Sequence, residues 1–133
     1  MRKLLVLLAF LSAQTLWAQE VVFQGTFDAD SRWTTFEGDW KIEKNGDAYF
    51  VVFADNFEAK KAPDLKIFLS KMDFEDISGK NATNQSVLVT PLSTYEGKMK
   101  FEIPASINPS EYQSIIVHCE QYAKLWGGSP LRN

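Results

Sequence analysis

One cysteine, Cys119, and one histidine, His118, stand side by side in Tyr112-Gln-Ser-Ile-Ile-Val-His-Cys-Glu120. A thiolate can act as nucleophile, metal ligand or redox group, and an imidazole can hold a metal. Alternation along a strand puts Cys119 on one face with Ile115 and Val117. Ser114, Ile116, His118 and Glu120 then occupy the other face. The two candidates therefore cannot ligate one metal unless a bulge intervenes. A single histidine also excludes a His-rich metal site and two-histidine haem ligation. His118 and Glu120 share a face, but two ligands without a third make no metal site, so an exposed histidine beside a solvated glutamate is expected.

The start of the chain sets the surroundings of the thiol. Arg2 and Lys3 precede the apolar run Leu4 to Leu11 and a more polar stretch ending at Ala18. This order is that of a signal peptide over residues 1–18, leaving a chain that begins at Gln19. The apolar core is too short for a stable span, so a secreted or periplasmic protein with no membrane span after signal removal is expected. An unpaired cysteine there is a reactive thiol, an intermolecular bridge or a buried inert side chain. Its apolar strand neighbours favour burial, and apolar burial makes a thiol inert.

The first 18 residues hold two of the 14 basic residues and none of the 17 acidic ones, so the remainder is net −5. An acidic chain without a basic cluster is a poor ligand for nucleic acid. The remaining 115 residues, 19–133, suit one compact domain.

Strand signals fill that stretch. Met99, Phe101 and Ile103 alternate with Lys98, Lys100 and Glu102, and Leu65, Ile67 and Leu69 with Lys66, Phe68 and Ser70. Tyr49 to Phe53 is a continuous apolar run, as in a strand covered on both faces. Asn45-Gly46 marks a hairpin turn before it. Val21 to Phe27, Trp40 to Glu43, Ser86 to Val89, Tyr112 to Cys119 and Tyr122 to Trp126 complete about eight short strands. The fold class expected is all-β, one antiparallel sandwich or flattened barrel. The inward set is Phe53, Leu65, Ile67, Val87, Val89, Phe101, Ile103, Ile115 and Val117. Lys71 to Asn84 is the most polar stretch and reads as an exposed loop around residues 79–84, which also holds two glycosylation-type acceptors, Asn81 and Asn84.

Other chemistry finds little support. Asp28, Asp30 and Asp39 have some of the spacing of a calcium loop, but Arg32 and Trp33 occupy places that need a ligand and a turn glycine. No nucleophile elbow or phosphate-cradling loop is present. An enzyme is therefore the least favoured reading. Trp33, Trp40 and Trp126 could line a ligand groove, although aromatic residues in small sandwiches more often fill the core.

Four segments in order resemble the DM-thirteen domain family, a secreted cysteine-containing module found beside DOMON domains. They are Val52-Phe-Ala-Asp-Asn-Phe57, Ala62-Pro-Asp-Leu-Lys-Ile-Phe-Leu-Ser70, Glu96-Gly-Lys-Met-Lys-Phe-Glu-Ile-Pro104, and Tyr112 to Tyr122 continuing through Leu125-Trp-Gly-Gly-Ser-Pro-Leu131. Ala62 departs from the glycine common before Pro-Asp-Leu, and His118 from the aromatic residue that often precedes the cysteine. The resemblance implies an all-β fold and electron transfer centred on Cys119, either as a bare redox thiol or holding a prosthetic group such as haem. A cofactor would need a cavity beside Cys119, with His118, Tyr122 and Trp126 as neighbours. With no DOMON domain in the sequence, a redox partner must be supplied in trans. The rival reading is an extracellular binding or structural module in which Cys119 only packs.

Overall fold

The computed structural model describes residues 19–132, so the expected signal peptide lies outside the described residues. Two antiparallel sheets pack face to face as a sandwich. One runs in the order β1 (Glu20–Thr26), β4 (Asp39–Asn45), β5 (Ala48–Phe53), β9 (Met99–Glu102). The other runs β2 (Asp28–Ala29), β11 (Lys124–Pro130), β10 (Ser114–Cys119), β7 (Leu65–Ser70), β8 (Ser86–Pro91). A two-stranded patch pairs β3 (Phe36–Glu37) with β6 (Glu58–Ala59). Eight of these strands have four residues or more, and the described residues contain no α-helix.

The alternation of apolar residues explains the packing. Trp40 and Ile42 on β4 pair with Phe53 and Val51 on β5, and all four point into the core. Across the gap, Ile115 and Val117 on β10 pair with Leu69 and Ile67 on β7. Phe27, between β1 and β2, carries the chain from one sheet to the other. Its ring lies 4.8 Å from Phe36 and 5.1 Å, edge-on, from Phe53, and Phe53 lies 4.6 Å from Phe57. Each such ring contributes roughly 2–3 kcal/mol by leaving water. Gly46 turns the β4–β5 hairpin in the left-handed region at φ 62°. Of the expected inward set, Val87 and Phe101 are half-buried and the others are buried.

Two expectations fail together. Within Lys71 to Asn84, the expected exposed loop at residues 79–84 buries Ala82 and half-buries Asn81, and β7 and β10 do not leave one face in water. The segment folds over the outer face of the second sheet through the 3₁₀ turn Phe74–Asp76. Ile77 and Ala82, with the half-buried Met72 and Phe74, close a second apolar cluster around Phe68, Ile116 and Leu125. Four apolar residues spread through the fourteen polar-rich positions from Lys71 to Asn84 show no helical or strand period, so periodicity does not find them. Asn81 is half-buried: its amide donates to Asp76 O at 3.0 Å and its carbonyl accepts from Ser78 N at 2.7 Å.

Candidate functional site

β10 is a central strand with neighbours on both sides, and all six of its residues are buried. Its odd-numbered side chains belong to the main core and Ile116 to the second cluster. Cys119 is therefore fully enclosed, opposite Leu65 on β7 and Lys124 on β11. It is a free thiol.

His118 lies on the other face, beside Phe68, with ring centroids 6.3 Å apart. It is 2 % exposed, which corrects the expectation of an exposed imidazole. The covering segment is the physical reason, because it shields the face that alternation assigns to solvent. Burial lowers the His118 pKa from the usual 6.5, while the charges of Glu120 and Asp64 pull it the other way. Nδ1 has no hydrogen-bond partner. A neutral imidazole follows, since protonation would bury a charge.

A bulge does occur, on β11. Val117 pairs with Gly127 and His118 with Leu125, leaving Trp126 as the extra residue. The bulge sends Leu125 into the second cluster and Trp126 into the main core. The Trp126 indole N–H donates to Lys60 O at 2.9 Å, and Lys124 Nζ sits 5.2 Å from its ring centroid. Tyr122 is 64 % exposed on the β10–β11 turn. The structure thus separates the four expected site residues: Cys119 and Trp126 inward, His118 on the opposite face, Tyr122 in solvent.

The turn Glu120–Ala123 lies directly over the end of β10. Asp64 ties it down, its backbone carbonyl accepting from Glu120 N at 3.3 Å and its carboxylate from Gln121 N at 2.9 Å. Lys66 joins the group, bonding to the Glu120 carboxylate and lying 3.4 Å from Asp64 Oδ1. The Glu120 hydrogen bond is the main cause of a raised Lys66 pKa. Ala123 closes the turn at φ 48°, a region unfavourable for a residue with a Cβ. From the other side Gly79 presses so close to Ala123 O that a Cβ there would clash. Asp64 and Gly79 have no chemical signature in the sequence; Pro63-Asp64 reads only as a strand start.

The residues do not fit a haem bound through Cys119. Its side chain is enclosed by core residues, whereas a haem ligand needs a cavity of several hundred Å³. Clefts of about 590, 440 and 440 Å³ are lined by other residues, among them Lys41 and Val52 in the first, Tyr49 and Pro104 in the second, Glu58 and Glu96 in the third. Among the described residues no group of three His, Cys, Asp or Glu side chains is placed to hold a metal. No helix among them is long and apolar enough to cross a membrane.

A family model described as electron transfer DM13 matches residues 26–131. No curated protein matches the chain, and no solved structure does. The match spans both sheets, the β10–β11 turn and Cys119. The chain belongs to the electron transfer DM13 family.

Proposed function

We propose that this chain is an extracytoplasmic electron-transfer domain whose redox group is the bare thiol of Cys119, presented to a partner protein when the Glu120–Ala123 turn lifts. Family membership supports electron transfer, and the charged, apolar N-terminus supports export. The observation that carries the cysteine-centred reading is the place of Cys119: the last residue of β10, beneath a turn held by a few separable contacts. A core position deeper in β10 would need the whole sheet to open.

The chemistry is thiol–disulfide exchange with a disulfide on the partner. Cys119 loses its proton, its sulfur bonds to one partner sulfur, and the other partner sulfur leaves and takes up a proton. The partner disulfide is consumed and a mixed disulfide formed, so atoms and electrons balance. A thiol of a second protein that then attacks the partner sulfur of the mixed disulfide releases Cys119 as a thiol, so that this donor thiol is oxidised and the partner reduced.

The complete burial of Cys119 favours a second reading, in which the thiol only packs. Incubating the folded mature chain with a small aromatic disulfide separates the two. The redox reading expects one adduct by intact mass while circular dichroism stays native, and none in Cys119→Ser. The packing reading expects an adduct only after the fold is lost.

A further inference from the structure

The end of the sandwich above Cys119 carries exposed aromatic side chains together with cations that make no ion pair among the described residues. Backbone hydrogen bonds gather three loops there. Asp30 N donates to Trp126 O at 3.0 Å, and Lys60 N to Thr35 O at 2.7 Å. The indole of Trp126 reaches Lys60 O, and β11 begins at Lys124, opposite Cys119. The Ser31–Thr35 loop, the residues around Lys60 and the Glu120–Ala123 turn therefore border one face.

Four large apolar side chains are exposed among the described residues, and two of them belong to these loops: Trp33 at 77 % and Tyr122 at 64 %. The others, Val21 on β1 and Leu88 on β8, stand on separate strands. Arg32 lies 4.8 Å from the Trp33 ring centroid. Arg32, Lys60, Lys61 and Lys124 are all exposed and make no ion pair among the described residues. Asp64 and Glu120 are paired with Lys66, whereas Asp30, together with Glu37 and Glu58 on the adjoining β3–β6 pair, makes no ion pair among the described residues. The loops at the end of the sandwich that holds the single cysteine thus carry four cations without an ion pair and two exposed aromatic rings.

We propose that this face docks an acidic protein partner, with Trp33 and Tyr122 as apolar anchors and Arg32, Lys60, Lys61 and Lys124 steering the approach. The proposal rests on the electron-transfer reading and deepens it by naming the partner's chemistry and the surface it meets. Exposed Trp, Tyr and Arg are the residue types that dominate binding energy at interfaces. Unpaired surface charge contributes mainly to encounter rate and salt sensitivity. Small, wet, electrostatically guided contacts suit a partner that must leave after exchange. The unpaired carboxylates of Asp30, Glu37 and Glu58 beside these cations would sit poorly against an anionic bilayer, whereas a protein can place its own cations there.

The test is an NMR titration of the mature chain with poly-L-glutamate as the acidic probe. Amide shifts centred on Arg32, Trp33, Tyr122 and Lys124 are expected, with affinity falling about tenfold between about 50 and about 300 mM salt. Arg32→Glu with Lys124→Glu should weaken binding about tenfold, and Trp33→Ser about threefold. Lys80→Glu with Lys98→Glu should leave it within about twofold. Circular dichroism of each variant checks the fold. Shifts centred elsewhere, or equal loss from both charge-reversal pairs, would overturn the proposal. So would tighter binding to vesicles of about one-third phosphatidylglycerol in phosphatidylcholine, which would make this face a lipid-binding one. Repeating the titration with Cys119→Ser separates the two ideas: docking should be unchanged, so its failure says nothing against the thiol and a silent thiol says nothing against docking.

Discussion

The rate at which the folded chain's thiol reacts with a dilute aromatic disulfide should follow the stability of the Glu120–Ala123 turn and ignore the stability of the opposite sheet. Ala123 pays for its left-handed φ of 48° with roughly 1–2 kcal/mol that glycine would not. Glycine gives back about 0.5–1 kcal/mol through a freer unfolded chain, so Ala123→Gly should tighten the turn by about 0.5–1 kcal/mol. That corresponds to labelling about two- to fivefold slower. Asp64→Ala removes the 2.9 Å acceptor of Gln121 N, a loss of about 1 kcal/mol, and should speed labelling about fivefold. Ile42→Val, fully buried in β4, lowers global stability by about 1 kcal/mol without touching the turn. Its labelling rate should match wild type. Stopped-flow or manual mixing, with reagent dilute enough that the turn recloses between most encounters, measures all four proteins. If Ile42→Val accelerates labelling as much as Asp64→Ala, the thiol is reached only by global unfolding and local gating is refuted.

The buried imidazole makes stability depend on pH. With the folded His118 pKa below 6.5, the unfolded chain binds the extra proton, so this contribution is complete above pH 6.5 and is lost as pH falls towards the folded pKa. Denaturant titrations should show that decline in wild type and a flatter profile in His118→Leu, which should also lose nothing at pH 7 because it removes an unpartnered Nδ1. An unchanged slope would show that other groups set the dependence. Glu43, 5 % exposed on β4, bonds Lys41 Nζ at 2.7 Å and lies 3.6 Å from Lys100 Nζ, and the Lys41 hydrogen bond chiefly lowers its pKa from 4.5. Glu43→Gln should cost about 1 kcal/mol at pH 7. The difference should vanish as pH falls below 4.5 and through the folded pKa, and a pH-independent cost would contradict it. Gly127→Ala would push a methyl into Asp28 O and the Phe36 ring, lowering thermal stability by about 3 kcal/mol; a neutral effect would argue against the β2–β11 pairing.

Much of the fold was legible because period-two alternation is a direct imprint of a sheet with one buried face. Met99, Phe101 and Ile103 show it, as do Leu65, Ile67 and Leu69, and all point as that pattern requires. The same rule misled at His118 and Phe68. Alternation says that a side chain faces away from one core and is silent on whether another segment covers it. The cover, Ile77 and Ala82 with Met72 and Phe74, is too sparse to register as an element. The site was legible only as one residue. Parity gave the burial of Cys119, but the Trp126 bulge, the Asp64 tether and the approach of Gly79 to Ala123 arise from contacts between distant segments. No local pattern in the chain encodes them.

Electron exchange at Cys119 is the chemistry proposed for the folded chain. Its most direct test equilibrates the mature protein in glutathione buffers spanning about −320 to −180 mV, the range of cellular thiol poise, and reads mixed disulfide by intact mass. Circular dichroism follows the fold in the same samples. A protein–glutathione adduct should grow as the buffer becomes more oxidising, form in folded protein, reverse with reduced glutathione and be absent in Cys119→Ser. No adduct at any poise while the fold persists would contradict it and leave Cys119 as a packing residue.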